Sequence, residues 1–179
     1  MKFSTLFLTV SQTLVTATTI FAQTTPPAAP VLKHLYTLNC TIATPVDVGT
    51  GPKGHRVVLP ITGGSFVGEH LSGTAMNFGA DWGLADSFGT FHADARFNLV
   101  TDDGENIVVQ VAGPGQSPDG VEGTLWHLHI SFETGSEKYY WLNNIVAVGL
   151  LSPGDAALSS VVVDAFYMDG PAAQAAIGE

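Results

Sequence analysis

The chain predicts a single all-β domain of about eight antiparallel strands, either closed as a barrel or layered as a sandwich. Three observations carry that expectation. Short runs rich in β-branched and aromatic residues recur along the chain, Gly, Pro, Asn and Asp punctuate the gaps, and no run has a helical period except a weak one over residues 172–177. At 179 residues and 45% apolar the chain can bury one sizeable core, and no shift of composition divides it.

Residues 1–22 read as a secretory signal. Met1-Lys2 gives a positive start, Phe3 to Val10 an apolar centre, and Ile20-Phe21-Ala22 a cleavage edge. Ser11, Gln12, Thr13, Thr16, Thr18 and Thr19 interrupt the apolar run, so no membrane span is expected once the signal is removed. A secreted or secretory-pathway protein follows. Residues 23–30, QTTPPAAP, form a Pro-rich linker, the β domain spans 31–169, and 170–179 are expected to be a flexible tail.

The first strand is expected within Lys33 to Ala43. It carries Cys40, the only cysteine, so no disulfide forms within the chain and burial must supply the stability. Asn39-Cys40-Thr41 is a glycosylation sequon, and Asn39 accepts a glycan only if the face opposite Cys40 is exposed. The break from Val48 to Gly54 leads into strands at His55 to Ile61 and Ser65 to Glu69, with Thr62-Gly63-Gly64 as a bend or bulge between them. Leu71 to Phe78 is a weaker strand. Phe91 to Gly104 and Glu105 to Gly113 form a hairpin reversed at Thr101-Asp102-Asp103-Gly104, whose two carboxylates read as turn residues rather than a calcium site. Strands at 123–134, 138–151 and 157–168 complete the set.

Sixteen Asp and Glu against six scattered Lys and Arg, a net charge of −10, argue against nucleic acid as a partner. There is no nucleophile elbow, phosphate loop, dinucleotide fingerprint or Cys-His pattern, so no cofactor and no metal are expected. The partner expected is a small organic ligand or substrate.

The chemistry resides in strand faces. Residues two apart share a face, so His92, Asp94, Arg96 and Asn98 form one polar row opposite Phe91, Ala93, Ala95, Phe97 and Leu99. Facing a lumen, those charges must pair or bind something; facing out, they are a solvated wall and the apolar row fills the core. His127, His129, Ser131 and Glu133 form a second row. His127 is a candidate general acid or base, while His127 and His129 as a metal pair lack a third ligand chosen by spacing. Asp81, beside Trp82 and after Gly79-Ala80, is either a base raised by an apolar wall or a turn residue capping N–H groups. Tyr139, Trp141 and Asn143, placed on one face of a later strand, offer two aromatic walls and an amide to a planar polar ligand.

The succession Gly54-His55-Arg56, Ile61-Thr62-Gly63-Gly64, Gly79-Ala80-Asp81-Trp82, Asp94-Ala95-Arg96, Thr101-Asp102-Asp103-Gly104 and Tyr140-Trp141-Leu142-Asn143 resembles the family known as domain of unknown function 3237, across roughly Pro30 to Met168. The resemblance implies a single closed antiparallel β-barrel of the lipocalin-like kind, known in bacteria and fungi, and no settled activity. It also favours the inward placement of Asp94 and Arg96. The expectation is therefore a cofactor-free isomerase, cyclase or lyase acting on a small secondary metabolite. Asp81, Asp94, Arg96 and His127 are its catalytic candidates; Trp82, His92, His129, Tyr139, Trp141 and Asn143 line its pocket. The alternative is a secreted binding or carrier protein without catalysis.

Overall fold

The computed structural model describes residues 28–115, 126–155, 157, 159–170, 174 and 177. The proposed signal, most of the linker, most of the tail and the start of the strand expected at 123–134 lie outside them. Nine strands run in chain order: β1 (Leu32–Ile42), β2 (Val46–Gly51), β3 (Gly54–Val67), β4 (Ser72–Ala85), β5 (Phe91–Thr101), β6 (Asn106–Gly115), β7 (Trp126–Glu133), β8 (Ala147–Pro153) and β9 (Ser160–Met168). Each of β3 to β8 pairs antiparallel with its successor, β9 pairs with β1, and β1 pairs with β3. Eight strands thus close a ring, and β2 lies outside it against β3 alone. Closure removes the unpaired edges of an open sheet.

The expected strands at 55–61 and 65–69 are one element. β3 bends at Gly63 and Gly64, with φ of +143° and +147°, as it passes from one end of the ring to the other. A Cβ on Gly64 would stand 2.1 Å from the Asn39 carbonyl oxygen, so only glycine permits the approach of β1. The weak strand expected at 71–78 extends to Ala85 through an irregularity between Ala75 and Gly79, which carries Asp81 into the sheet rather than a turn.

Alternation decides what fills the ring. Ala93, Ala95, Phe97 and Leu99 of β5, Ile107, Val109 and Val111 of β6, and Leu128, Ile130 and Phe132 of β7 are buried inside. At one end Tyr36 meets Phe66 and Phe132 edge-to-face, with centroids 5.5 and 6.2 Å apart, and the lumen is solid. A 3₁₀ turn, Tyr140–Asn144, contributes buried Trp141 and Leu142 there, with Trp141 edge-on to Tyr167. Residues 138–146 are therefore a cap rather than the first half of a strand. The shared strand face expected for Tyr139, Trp141 and Asn143 does not exist. No helix among the described residues is long and apolar enough to cross a membrane.

Candidate functional site

The other end of the ring is hollow. A cavity of about 320 Å³ is walled by apolar side chains of seven strands, among them Leu38, Ile61, Phe91, Phe97, Trp126, Leu151 and Val163. Its size falls at the lower end for small-molecule sites. The small residues Ala93 and Ala95 keep the β5 wall thin, whereas the same row becomes Phe97 and Leu99 towards the solid end. The volume is written in that gradient of side-chain size.

Two ionisable groups join this wall, Asp81 and Cys40. Burial pushes the Cys40 thiol up to about 11, so it stays protonated and weakly nucleophilic at neutral pH. Asp81 is different in kind. Burial raises its carboxyl to about 6, opposed by the main-chain N–H of Asp94, which donates to Oδ1 at 2.8 Å. The Asp94 carboxylate raises it a little further and the Arg56 charge lowers it. A carboxyl poised near neutral pH in an apolar lumen can take a proton from a ligand and return it.

Two aromatic rings of the cavity wall sit on glycines. The Phe91 ring lies over Gly83 and the Trp126 indole over Gly115, each so close that a Cβ on the glycine would collide with the ring. Among the described residues, Trp126 Nε1 is the one buried side-chain polar atom without a hydrogen-bond partner. An orphan donor of this kind carries a desolvation cost that a ligand acceptor would offset.

The polar row of β5 faces the other way. His92 and Arg96 are exposed and Asp94 is half-buried on the outer wall, His92 against Asp86 at 2.8 Å and Arg96 against Asp94 at 3.0 Å. The inward placement is corrected because the apolar partners of this row, Ala93 to Leu99, are what the lumen holds, and one strand cannot turn both faces inward. His127 and His129 are likewise exposed, their neighbours Leu128 and Ile130 being buried. Among the described residues no three His, Cys, Asp or Glu side chains gather as a metal site. Trp82 points outward and is partly exposed.

Tyr139, Trp141 and Asn143 belong to the closed end. Tyr139 donates its hydroxyl to Asp103 at 3.0 Å, and Lys138 reaches the same carboxylate at 2.6 Å. Lys138, then the Thr101 hydroxyl and Tyr139, hold the Asp103 carboxyl well below the usual range, and Gly104, at φ +89°, completes the expected turn. The Asn143 amide accepts from Thr134 N and donates to the carbonyls of Thr134 and Tyr140, each at 2.9 Å, which leaves it a latch rather than a ligand contact. Asn39 is exposed and Cys40 is buried on opposite faces of β1, the arrangement that a glycan on Asn39 requires.

The sequence reading therefore names one lumen carboxylate, Asp81, and misses the cavity's apolar frame. Phe91, Ala93 and Ala95 stood in the sequence as one of two alternating rows, and the alternation alone did not mark which row faced inward.

Relatives share this architecture. A β-barrel-like protein of Acinetobacter baumannii AYE superposes with a TM-score of 0.73 at 34% identity, over 82% of this chain and all of that one. A crystal structure of an enzyme from Penicillium herquei superposes with a TM-score of 0.66 at 26% identity, over 82% of this chain and all of that one. In sequence, the hydroalkoxylation enzyme PhnH of Penicillium herquei is 30% identical over 123 residues, 69% of this chain and 75% of PhnH. A UPF0311 protein of Rhodopseudomonas palustris strain TIE-1 is 29% identical over 129 residues, 65% of this chain and 84% of its own length. With a family model matching residues 30–168, the chain belongs to the family described as protein of unknown function DUF3237.

Proposed function

We propose that the protein is an acid–base enzyme that isomerises or cyclises a small, largely apolar metabolite inside the barrel, with Asp81 moving the proton. The observation that carries this reading is a single carboxyl, raised to about 6, in a wall otherwise made of apolar side chains, one thiol and the Trp126 indole. A carrier of apolar molecules has no use for a buried charge that destabilises its fold. The hydroalkoxylation activity of PhnH supports the same class of chemistry.

Adding an O–H across a carbon–carbon double bond within one molecule conserves every atom. The carboxylate of Asp81 takes the hydroxyl proton, the oxygen forms a bond to one alkene carbon, and the other carbon receives a proton from the same carboxyl. No oxidant or reductant is needed. The apolar walls Phe91, Phe97 and Trp126 hold the carbon skeleton, and excluding water strengthens each interaction with the carboxylate. Secretion, on the strength of residues 1–22, and a glycan on Asn39 remain part of this reading.

The test compares metabolites of cells with and without the gene, then gives the compound that accumulates to the purified protein in heavy water. The expected product is an isomer of its precursor with one deuterium in place of hydrogen on carbon, and Asp81→Asn does not form it. If the pure protein only binds that compound and releases it unchanged on denaturation, the carrier reading replaces the enzyme.

A further inference from the structure

Three short segments, Gly54-His55-Arg56, Gly79-Ala80-Asp81-Trp82 and Asp94-Ala95-Arg96, lie on three adjacent strands, and both of their arginines lie outside the set of residues lining the cavity. Their meeting point is an interruption in the β4–β5 ladder. Asp81 pairs with Ala95 and Leu84 with His92, and the same register would set Trp82 against Asp94 and Gly83 against Ala93, yet neither of those pairs is made. The main-chain groups there have found side chains instead. The Asp94 N–H donates to Asp81 Oδ1 at 2.8 Å, and the Trp82 carbonyl accepts from the Arg56 guanidinium.

A main-chain N–H has one proton to give. Two acceptors on β4 compete for that of Asp94, the Trp82 carbonyl of an ordinary ladder and the Asp81 carboxylate. We propose that Arg56 is a positioning residue for Asp81, occupying the Trp82 carbonyl from outside the lumen so that the Asp94 N–H is left to hold the carboxylate against the cavity wall. A guanidinium suits the task because it keeps its charge and presents several donors in a rigid plane. The other charged groups around Asp81 do not replace it. From β5 the Asp94 carboxylate repels Asp81 and is itself taken up by Arg96 at 3.0 Å, His92 on the same wall pairs with Asp86, and across the lumen β1 offers only the protonated Cys40 thiol.

This inference rests on the reading of Asp81 as the proton-transfer group, but its test needs no turnover. The side-chain carboxyl of Asp81 and the amide proton of Asp94 are followed by nuclear magnetic resonance through a pH titration of the wild type, Arg56→Met and Arg56→Lys, each first shown to unfold cooperatively. In the wild type the carboxyl titrates at about 6 and the Asp94 amide moves with it. In Arg56→Met the midpoint rises, because a nearby positive charge and a hydrogen bond to the ionised form are both lost, and the Asp94 amide no longer follows. Arg56→Lys restores the charge and falls between the two. An unchanged midpoint and an unchanged amide in folded Arg56→Met would overturn the proposal, and full restoration by lysine would reduce the role to charge alone and overturn the clamp. An inactive protein that shows the expected shifts would sink the acid–base reading and leave this one standing; an active protein without them would do the reverse.

Discussion

Trp126 lies over Gly115 so closely that a Cβ on the glycine would fall 1.3 Å from the indole Cδ1 and 1.7 Å from Nε1. Phe91, the Cα partner of Gly115 on the adjoining strand, is itself laid over Gly83, where a Cβ would stand 2.0 Å from its ring. Glycine and aromatic alternate across four neighbouring strands. Each ring thereby takes the space that a side chain on the facing glycine would fill, and both rings line the cavity.

Gly115→Ala therefore drives the indole off its seat and towards the cavity. Overpacking of this kind costs on the order of 1 to 3 kcal/mol. The expected outcome is a lower urea midpoint together with a shift in tryptophan emission that Trp126→Phe abolishes. An emission spectrum unchanged in Gly115→Ala would show that the ring is not held by that glycine.

Asp81 makes stability depend on pH in the sense opposite to an ordinary paired carboxylate. Its folded value, about 6, lies above the unfolded 3.8, so the native state binds the extra proton between those limits. Above about pH 6 both states are ionised and the fold bears the whole penalty, about 3 kcal/mol for a shift of this size; as pH falls towards 4 the penalty disappears. Asp81→Asn keeps the acceptor for the Asp94 N–H and carries no charge. It should be more stable than the wild type at pH 8 and match it near pH 4, by urea denaturation at both. Equal stability of the two proteins at pH 8 would mean that the carboxyl is solvated.

At the closed end, Asn143→Ala removes three hydrogen bonds from main-chain groups of Thr134 and Tyr140. At about 1 kcal/mol each, the loss is roughly 3 kcal/mol. Turnover or ligand affinity per folded molecule should not change, since the latch lies at the end of the ring away from the cavity. A selective loss of binding in a variant of normal stability would return Asn143 to the site.

What the residues disclosed and what they withheld follow from the same alternation. The barrel was legible because eight runs of strand-forming residues with short turns leave few other ways to bury an apolar face in one domain. The turn at Thr101 to Gly104 and the bend at Gly63-Gly64 were legible because positive φ singles out glycine. The direction of the His92-Asp94-Arg96 row was not, because a period of two marks the two faces and does not say which is inside. Pairing around the whole ring settles it: Ala93 and Ala95 are buried on the inner face, and because they are too small to fill it they leave the cavity beside them. Tyr140-Trp141-Leu142-Asn143 read as a strand because its aromatic residues suit one, while its neighbours Thr134, Asp103 and Tyr167, distant in sequence, hold it as a 3₁₀ cap.

The two faces of the wall also give the sharpest separation of site from scaffold. Ala95 lines the cavity and pairs with Asp81 across the β4–β5 ladder, so Ala95→Leu places an isobutyl group in the lumen beside the carboxyl. His127 and His129 project from the outer wall into solvent. Replacing both histidines by alanine should alter stability by less than about 0.5 kcal/mol each and leave activity within about twofold, as surface substitutions generally do. Ala95→Leu should instead abolish binding of the metabolite that accumulates without the gene, while the barrel remains folded because the added methyl groups enter free volume rather than a packed core. Calorimetric titration of the three proteins with that compound checks both halves. Binding retained in folded Ala95→Leu and lost in the double histidine variant would move the site from the lumen to the outer wall.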